Sequence, residues 1–598
     1  LETMLDMLLD CFSMVISQAQ DCSGKVTRYR YDKAYRLAEE TDAGGESTHY
    51  EYSPAGRPVK MLRADNWVAS LSWTRKGQPE SYRMGHSNPV RWQYDNNGRL
   101  SVVTDPVGHT VRREYDERDR LTHLYNENGE MYRFVQGAND RLHEEKGLDG
   151  IVTRYEYDSC DRVISRTWAA GTPDALTHHW QYNAAGEITE KMTPDGRTEY
   201  RYTATGNLKE ARFYPAGLDE YGTPLPSRKI RLEYDALGQL TAEENDTGRV
   251  SYSLDELGNR TAVHLPDGRS LKTLYYGSGH VLNISLDGRM ITGFSRDNLH
   301  REVSRTQGSL TMRTRYDRLG RPERREIYRE GNRMRPVEAW HRQYDSRHNL
   351  LSETQIYDYS YQGYSYDDAD HVLRHETPLR GSRQWQYDAA GNLLEPSQAG
   401  GALKYNRQPL CRQQACEYDV YGRLVQKPGP GGIWRYRYDS EHRMTEAVTE
   451  IPTMTRMGKT RHEVHFSYDP LGRRTEKRSV VKEFENGRGQ VKETQRVTTF
   501  VWEGLRLLAE NRDGLPLVYV YEDTESYTPL ARVWGSGEKA RVDYYRCSQN
   551  GMPEALTDEQ GKQHWRLEVD TWGETRGEYA DERGSYWYQK QDGAPEEN

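Results

Sequence analysis

Side chains able to do chemistry are plentiful in this chain, yet few stand at a spacing that chemistry requires. His143-Glu144-Glu145 begins like a zinc-binding helix, but no second histidine follows four residues after the first, so it reads as a solvated strand end. Gly535-Ser536-Gly537-Glu538-Lys539 lacks the spacing of a phosphate loop and reads as a hairpin tip. A Gly-x-Ser-x-Gly nucleophile elbow does not occur. Of Cys11, Cys22, Cys160, Cys411, Cys416 and Cys547, only Cys411 and Cys416 are close, and no metal-like Cys/His set surrounds them. Unlinked thiols in a reducing cytoplasm are expected. With 92 Asp and Glu in the chain, the sequence nominates no particular carboxylate pair for acid–base work. Tyr and Trp interleaved with Asp and Arg could stack on sugars, but the same pairs can hold neighbouring strands together. No catalytic, metal or cofactor-binding residue is nominated, and no cofactor is expected.

What does recur is a phrase, Tyr-Asp-x-x-Gly-Arg-Leu, returning about once every 21 residues between Tyr31 and Tyr468. Clear copies begin at Tyr94-Asp95 with Gly98, Tyr387-Asp388 with Gly391, and Tyr418-Asp419 with Gly422; Tyr115-Asp116 opens another unit. Each copy reads as strand, tight turn, strand. Val111, Arg113 and Tyr115 fall on one face, and Leu121, His123 and Tyr125 alternate likewise across the turn. The Asp can accept a backbone N–H two residues on, and Gly supplies the positive φ the turn needs. Pro194-Asp195-Gly196-Arg197 and Pro266-Asp267-Gly268-Arg269 are plain turns joining one unit to the next. A lone hairpin is marginal in water, so the units must pair edge to edge into one long sheet.

Hydrophobic residues make up 35% of the 598 and mean hydropathy is −1.01, below the usual ~45–50% apolar. Disorder is excluded by 44 Tyr, 13 Trp and the turn grammar. A sheet wrapped round a water-filled space fits this composition, because both faces remain partly wet. A net charge of −9 with interspersed signs gives neither a basic stripe for nucleic acid nor a polybasic patch for membrane.

Residues 1–20 stand outside the repeat grammar and are expected to hold a short helix; they have no basic n-region and are too short and acidic to span a bilayer. The array runs over 21–475, a further β region over 476–575, and a polar, frayed tail over 576–598.

The Tyr-Asp units, Trp502-Glu503-Gly504-Leu505-Arg506-Leu507, Ser526-Tyr527-Thr528-Pro529-Leu530-Ala531-Arg532 and Asp570-Thr571-Trp572-Gly573 together resemble bacterial Rhs proteins of the YD-repeat superfamily. Tyr276-Gly277-Ser278-Gly279-His280 and Phe294 to Glu302 resemble the enterobacterial type. The resemblance covers about residues 21–575. It implies an all-β fold, a YD-repeat spiral β-sheet (a β-solenoid of hairpins) forming part of a hollow cocoon. The implied function is the non-enzymatic shell of a polymorphic-toxin effector that encloses a C-terminal toxin for type VI secretion and interbacterial competition. Implied partners are that toxin, a secretion spike and a chaperone. Synthesis in the cytoplasm followed by secretion is implied as well.

The chain departs from the family's full pattern, and is expected to be a fragment without the N-terminal tip region and the C-terminal self-cleavage and toxin region. Asp105-Pro106-Val107-Gly108 and Asp469-Pro470-Leu471-Gly472 look like the family's aspartyl cleavage block but lack its flanking context, and read as turns. The alternative function is a carbohydrate-binding or adhesive surface protein built from the same repeats. Open sheet edges would favour self-association.

Overall fold

In the computed structural model the described residues are 6–9 and 15–581, apart from 220, 333, 358–359, 379–380, 396–400, 412–413, 430–431, 454–457 and 486–488. The protein is an antiparallel ribbon of hairpins in which, within each large sheet, a strand pairs with the strands before and after it. A 35-stranded sheet runs from Asp6–Leu9 to Gly381–Gln384, and a 14-stranded sheet from Glu417–Tyr418 to Thr575–Ala580. Helical turns are three-residue 3-10 segments such as Ala64–Asn66 and Lys404–Asn406.

Three expectations are corrected. The described residues among the first twenty contribute strands, not a helix: Asp6–Leu9 pairs with Ile16–Gln20, which pairs with Val26–Tyr31. Their apolar run lacks alternation but meets a ready strand edge, and edge pairing overrides local pattern. Residues 1–5 and 10–14 lie outside the described set. The polar end is likewise a strand as far as Ala580, paired with Gln563–Val569; residues 582–598 lie outside the described set. Finally, among the described residues the sheet is not continuous. Between the two large sheets stand two small hairpins, Gln386–Tyr387 with Leu393–Leu394 and Leu410–Cys411 with Gln414–Ala415. Gly401 and Pro409 in this stretch offer little to a ladder, since Pro has no N–H and Gly no side chain to pack.

The ribbon winds on itself. Hydrogen bonds join Asp21 to His300, Lys191 to Glu441, Glu338 to Arg546 and His375 to Thr571, at chain separations of 279, 250, 208 and 196 residues. Successive coils therefore meet along a seam. Turn residues make much of this seam: Glu46 with Arg318, Asn88 with Asp368, and Asn128 with Asp388.

Most of the ribbon is only half-buried. A dry core forms where the final strands lie across the ribbon face that carries Tyr275. There Val281, Ile284, Leu286, Ile291 and Phe294 meet Val520, Leu530, Ala531, Val533, Val542 and Tyr544. Beside it Val250, Tyr252, Val263 and Leu265 meet Leu508, Ala509 and Val518. This local sandwich explains how a chain with 35% hydrophobic residues still closes a core. Truncating fully buried Leu530 (0% exposed) to Ala is expected to cost about 2–5 kcal/mol. The same change at half-buried Leu121 should cost about 1 kcal/mol, since it removes less buried area. Urea unfolding followed by tryptophan fluorescence measures the difference.

Candidate functional site

Every letter of the repeated phrase has a bonding partner. In the turn after Tyr94, one Asp95 carboxylate oxygen accepts the backbone N–H groups of Asn97 (3.0 Å) and Arg99 (2.9 Å), and the other accepts Arg99 Nε at 2.6 Å. Gly98 takes φ 87° and donates its N–H to the Asp95 carbonyl. The Arg99 guanidinium then reaches the next unit, donating to the Asp116 carbonyl at 2.8 Å and lying 4.9 Å from the centre of the Tyr115 ring. Tyr115 closes the loop by donating its hydroxyl to the Leu100 carbonyl at 2.9 Å. Tyrosine, aspartate and arginine thus clamp each hairpin to its neighbour.

The clamp recurs at the other copies. Tyr94 donates to the Pro79 carbonyl, Tyr387 to that of Val372 and Tyr418 to that of Gln408. Asp116 holds Arg118, Arg120 and the Arg120 guanidinium; Asp419 holds Tyr421, Arg423 and the Arg423 guanidinium. Gly422 has φ 83°, and a Cβ there would sit 2.8 Å from Arg407 Nη2. At Tyr387 the arginine's place over the ring is taken by His371, stacked at 4.8 Å. Asp388 does more than serve its own turn, where it accepts Ala390 and Asn392; it also takes the Leu403 N–H and Asn128 Nδ2 across the seam. Burial works to raise its pKa, and the bonds from Asn392, Leu403 and Asn128 outweigh it, leaving it below the ordinary value. Gly391 has φ 77°. Two copies run the clamp with inverted polarity: Asn183 and Asn126 accept the backbone N–H while donating to Glu187 and Glu130.

The sequence reading placed arginine in the phrase and expected it to pair with tyrosine between strands, but it missed the two further bonds this side chain makes, to the Asp of its own turn and to the turn carbonyl of the next unit. It missed the seam as well, which no local spacing announces.

Among the described residues no group of three or more His, Cys, Asp or Glu is placed to hold a metal ion, and no helix is long and apolar enough to cross a membrane. A cavity of about 270 Å³ lies between Arg305–Val337 and the Glu522–Gln563 strands. Its Arg305 pairs with Glu302 and Glu522, and its Arg546 with Glu338. Burial pushes the Cys547 thiol there up to about 12, far from a reactive thiolate. Asp105 and Asp469 serve turns: Asp105 accepts Gly108 and His109 N–H, and Asp469 accepts Leu471 and Arg473 N–H. His143, Glu144 and Glu145 lie in the strand Leu142–Lys146.

Comparison with known proteins agrees with this geometry. The family model for the RHS Repeat matches residues 15–47, 36–66, 91–131, 182–217 and 234–270. The chain belongs to the Rhs-repeat family. The first match starts inside the segment expected to lie outside the array, in line with the strand at Ile16–Gln20. The Rhs-repeat chain is 31% identical over 92% of its length to "Double-stranded DNA deaminase toxin A" of Burkholderia cenocepacia, covering 40% of that protein. It is 26% identical to "Toxin protein Tse5" of Pseudomonas aeruginosa over 65% of its length (34% of that protein). With "Probable deoxyribonuclease RhsB" of Dickeya dadantii it is 27% identical over 71% (24% of that protein). The chain thus spans less than half the length of these relatives. Among solved structures, a TcdB2-TccC3 complex aligns over 96% of this chain and 34% of its own, with TM-score 0.65 and 14% identity, which establishes the shared fold.

The ordinary carboxylate value for Asp116 is 3.8, and the hydrogen bond from the Arg120 guanidinium holds it down to about 2. The stability it contributes is therefore complete above about pH 4 and lost as the pH falls through about 2. Acid unfolding should fall in that window, and Asp116→Asn, which keeps the turn acceptor but not the charge, should flatten it. Tyr115→Phe, losing only the bond to Leu100, is expected to cost about 1 kcal/mol in urea unfolding.

Proposed function

We propose that this chain is wall rather than warhead: the shell of an Rhs polymorphic-toxin effector, enclosing a toxin encoded C-terminal to the repeats. One observation carries the reading. The relatives sharing this repeat region bear names as different as a DNA deaminase toxin and a probable deoxyribonuclease. A region common to both cannot be what distinguishes them, so the chemistry belongs to the parts not shared. The Rhs-repeat fold gives the chain a structural role, and the clamp residues Tyr94, Asp95, Gly98, Tyr115, Asp116, Tyr387, Asp388, Gly391, Tyr418, Asp419 and Gly422 serve that role and catalyse nothing. The array over 21–475 forms the winding wall, and 476–575, which supplies the second half of the sandwich, fastens it.

In this reading the protein is made in the cytoplasm and exported by type VI secretion in competition between bacteria, with a spike and chaperone as partners. The wet, half-buried faces of the ribbon support a water-filled interior. The test is direct. Purified 1–598 should keep its full mass, leave double-stranded DNA uncut and undeaminated, leave growth unaffected on expression, and show a hollow envelope by electron microscopy. DNA turnover that vanishes on one substitution would sink the reading in favour of an enzyme.

A further inference from the structure

Several turns along the seam break the repeat's own rule. The position that glycine fills with φ 87° at Gly98 and 83° at Gly422 is held by histidine at His300 (φ 59°), His348 (72°) and His442 (64°). A side chain in the left-handed region costs about 1–2 kcal/mol relative to glycine, so these imidazoles stand at strained positions. All three contact the preceding coil. His300 Nε2 meets Asp21 Oδ2 at 2.7 Å, the His348 ring lies 5.8 Å from that of Trp67, and His442 meets the edge of Trp168 at 5.4 Å. From the opposite side of the seam, buried His178 (2% exposed) bonds to the Ser440 carbonyl at 3.0 Å and packs on Trp168 at 4.7 Å.

The surroundings of these rings differ in sign. Burial disfavours the charged form of His178, which faces Lys191, Glu441 and His442. Burial and then Arg423 do the same to His442, against Asp419, Glu441 and Asp439. Burial, Arg321 and Arg63 do so to His348, against Asp317 and Asp345. All three are held below the ordinary histidine value. Lys191 and Glu441 pair across the seam at 2.6 Å, so that carboxylate is already engaged. His300 differs in its partner, the carboxylate of Asp21 at 2.7 Å.

We propose that the seam between coils is a pH-sensitive latch, closed while His178, His348 and His442 are neutral and released when they take up protons. The sign follows from linkage. With their rings undocked these histidines return to about 6.5, so their contribution to docking is complete above that pH and falls away below it. The carboxylates of the clamp, exemplified by Asp116 at about 2, stay ionised throughout this window. The coil contact at Asp21–His300 is a hydrogen bond to a carboxylate, with the His280 ring stacked on the imidazole at 3.8 Å, and it is not among the contacts the latch releases. Mild acid thus opens the middle of the seam and leaves its start fastened, with the hairpins themselves intact. The inference does not depend on what the shell encloses.

Hydrogen exchange by mass spectrometry on the full chain tests it, with rates scaled for intrinsic pH dependence. Between about pH 7.5 and about pH 5.5, segments 168–195, 345–349 and 419–443 should lose protection about tenfold or more. Segments 21–25 and 297–301 should not change. The His348→Gly, His442→Gly double variant restores the residue the turn prefers, so it should fold at least as well and lose most of the response. An unchanged seam in the natural chain would overturn the latch, as would a double variant that opens in acid as readily as the natural chain.

Discussion

A hairpin has too little to bury, and the whole molecule depends on how this one is tied to the next. The tie is an arginine that sits in one turn, held by its aspartate, and lies over the tyrosine of the following unit while bonding to that unit's turn carbonyl. Each element is weak: about 1 kcal/mol for a hydrogen bond and about 0.5–1 for an exposed cation–π contact. Their strength lies in repetition and in geometry. The Asp fixes the guanidinium, so little side-chain freedom remains to be lost when it meets the ring. The inverted pairs at Asn183–Glu187 and Asn126–Glu130 show that the bond pattern matters more than the sign of the charge.

Because the clamp ties neighbours alone, it builds a ribbon but not a container. Winding the ribbon on itself needs two further devices. One is the seam, made largely of turn residues more than 180 positions apart. The other is the sandwich, in which the last strands lie flat against residues 250–294 and exclude water from both sides. The two differ in chemistry: the seam is polar and rich in histidine and carboxylate, whereas the sandwich is Val, Leu and Ile. A polar seam can respond to solution conditions, and an apolar sandwich does not.

Turns and strands were legible in the residues because their chemistry is local: Asp, Gly and alternation over six positions suffice for Tyr94 to Leu100. The run Leu515-Pro516-Leu517-Val518-Tyr519-Val520-Tyr521 could also have signalled a strand buried on both faces. Residues 6–9 and 16–20 were misread since a strand edge, not their own pattern, decides their state. The seam was beyond reach: Asn128 has no local feature that names Asp388 as its partner. The histidines at glycine positions were visible as departures from the phrase, but what they touch depends on how many residues one coil consumes.

That number varies along the chain: 279 at Asp21, 280 at Asn88, 230 at Glu243, 266 at Arg269 and 196 at His375. Identical coils stacked as a cylinder could slide by one hairpin and find equivalent contacts, as a screw turns in its thread. An uneven winding has no such symmetry. Shifting one coil by a single unit would misalign every later contact by a different amount, so the alignment at one point dictates the alignment at all others. The unevenness makes a molecule of near-identical parts assemble in one way.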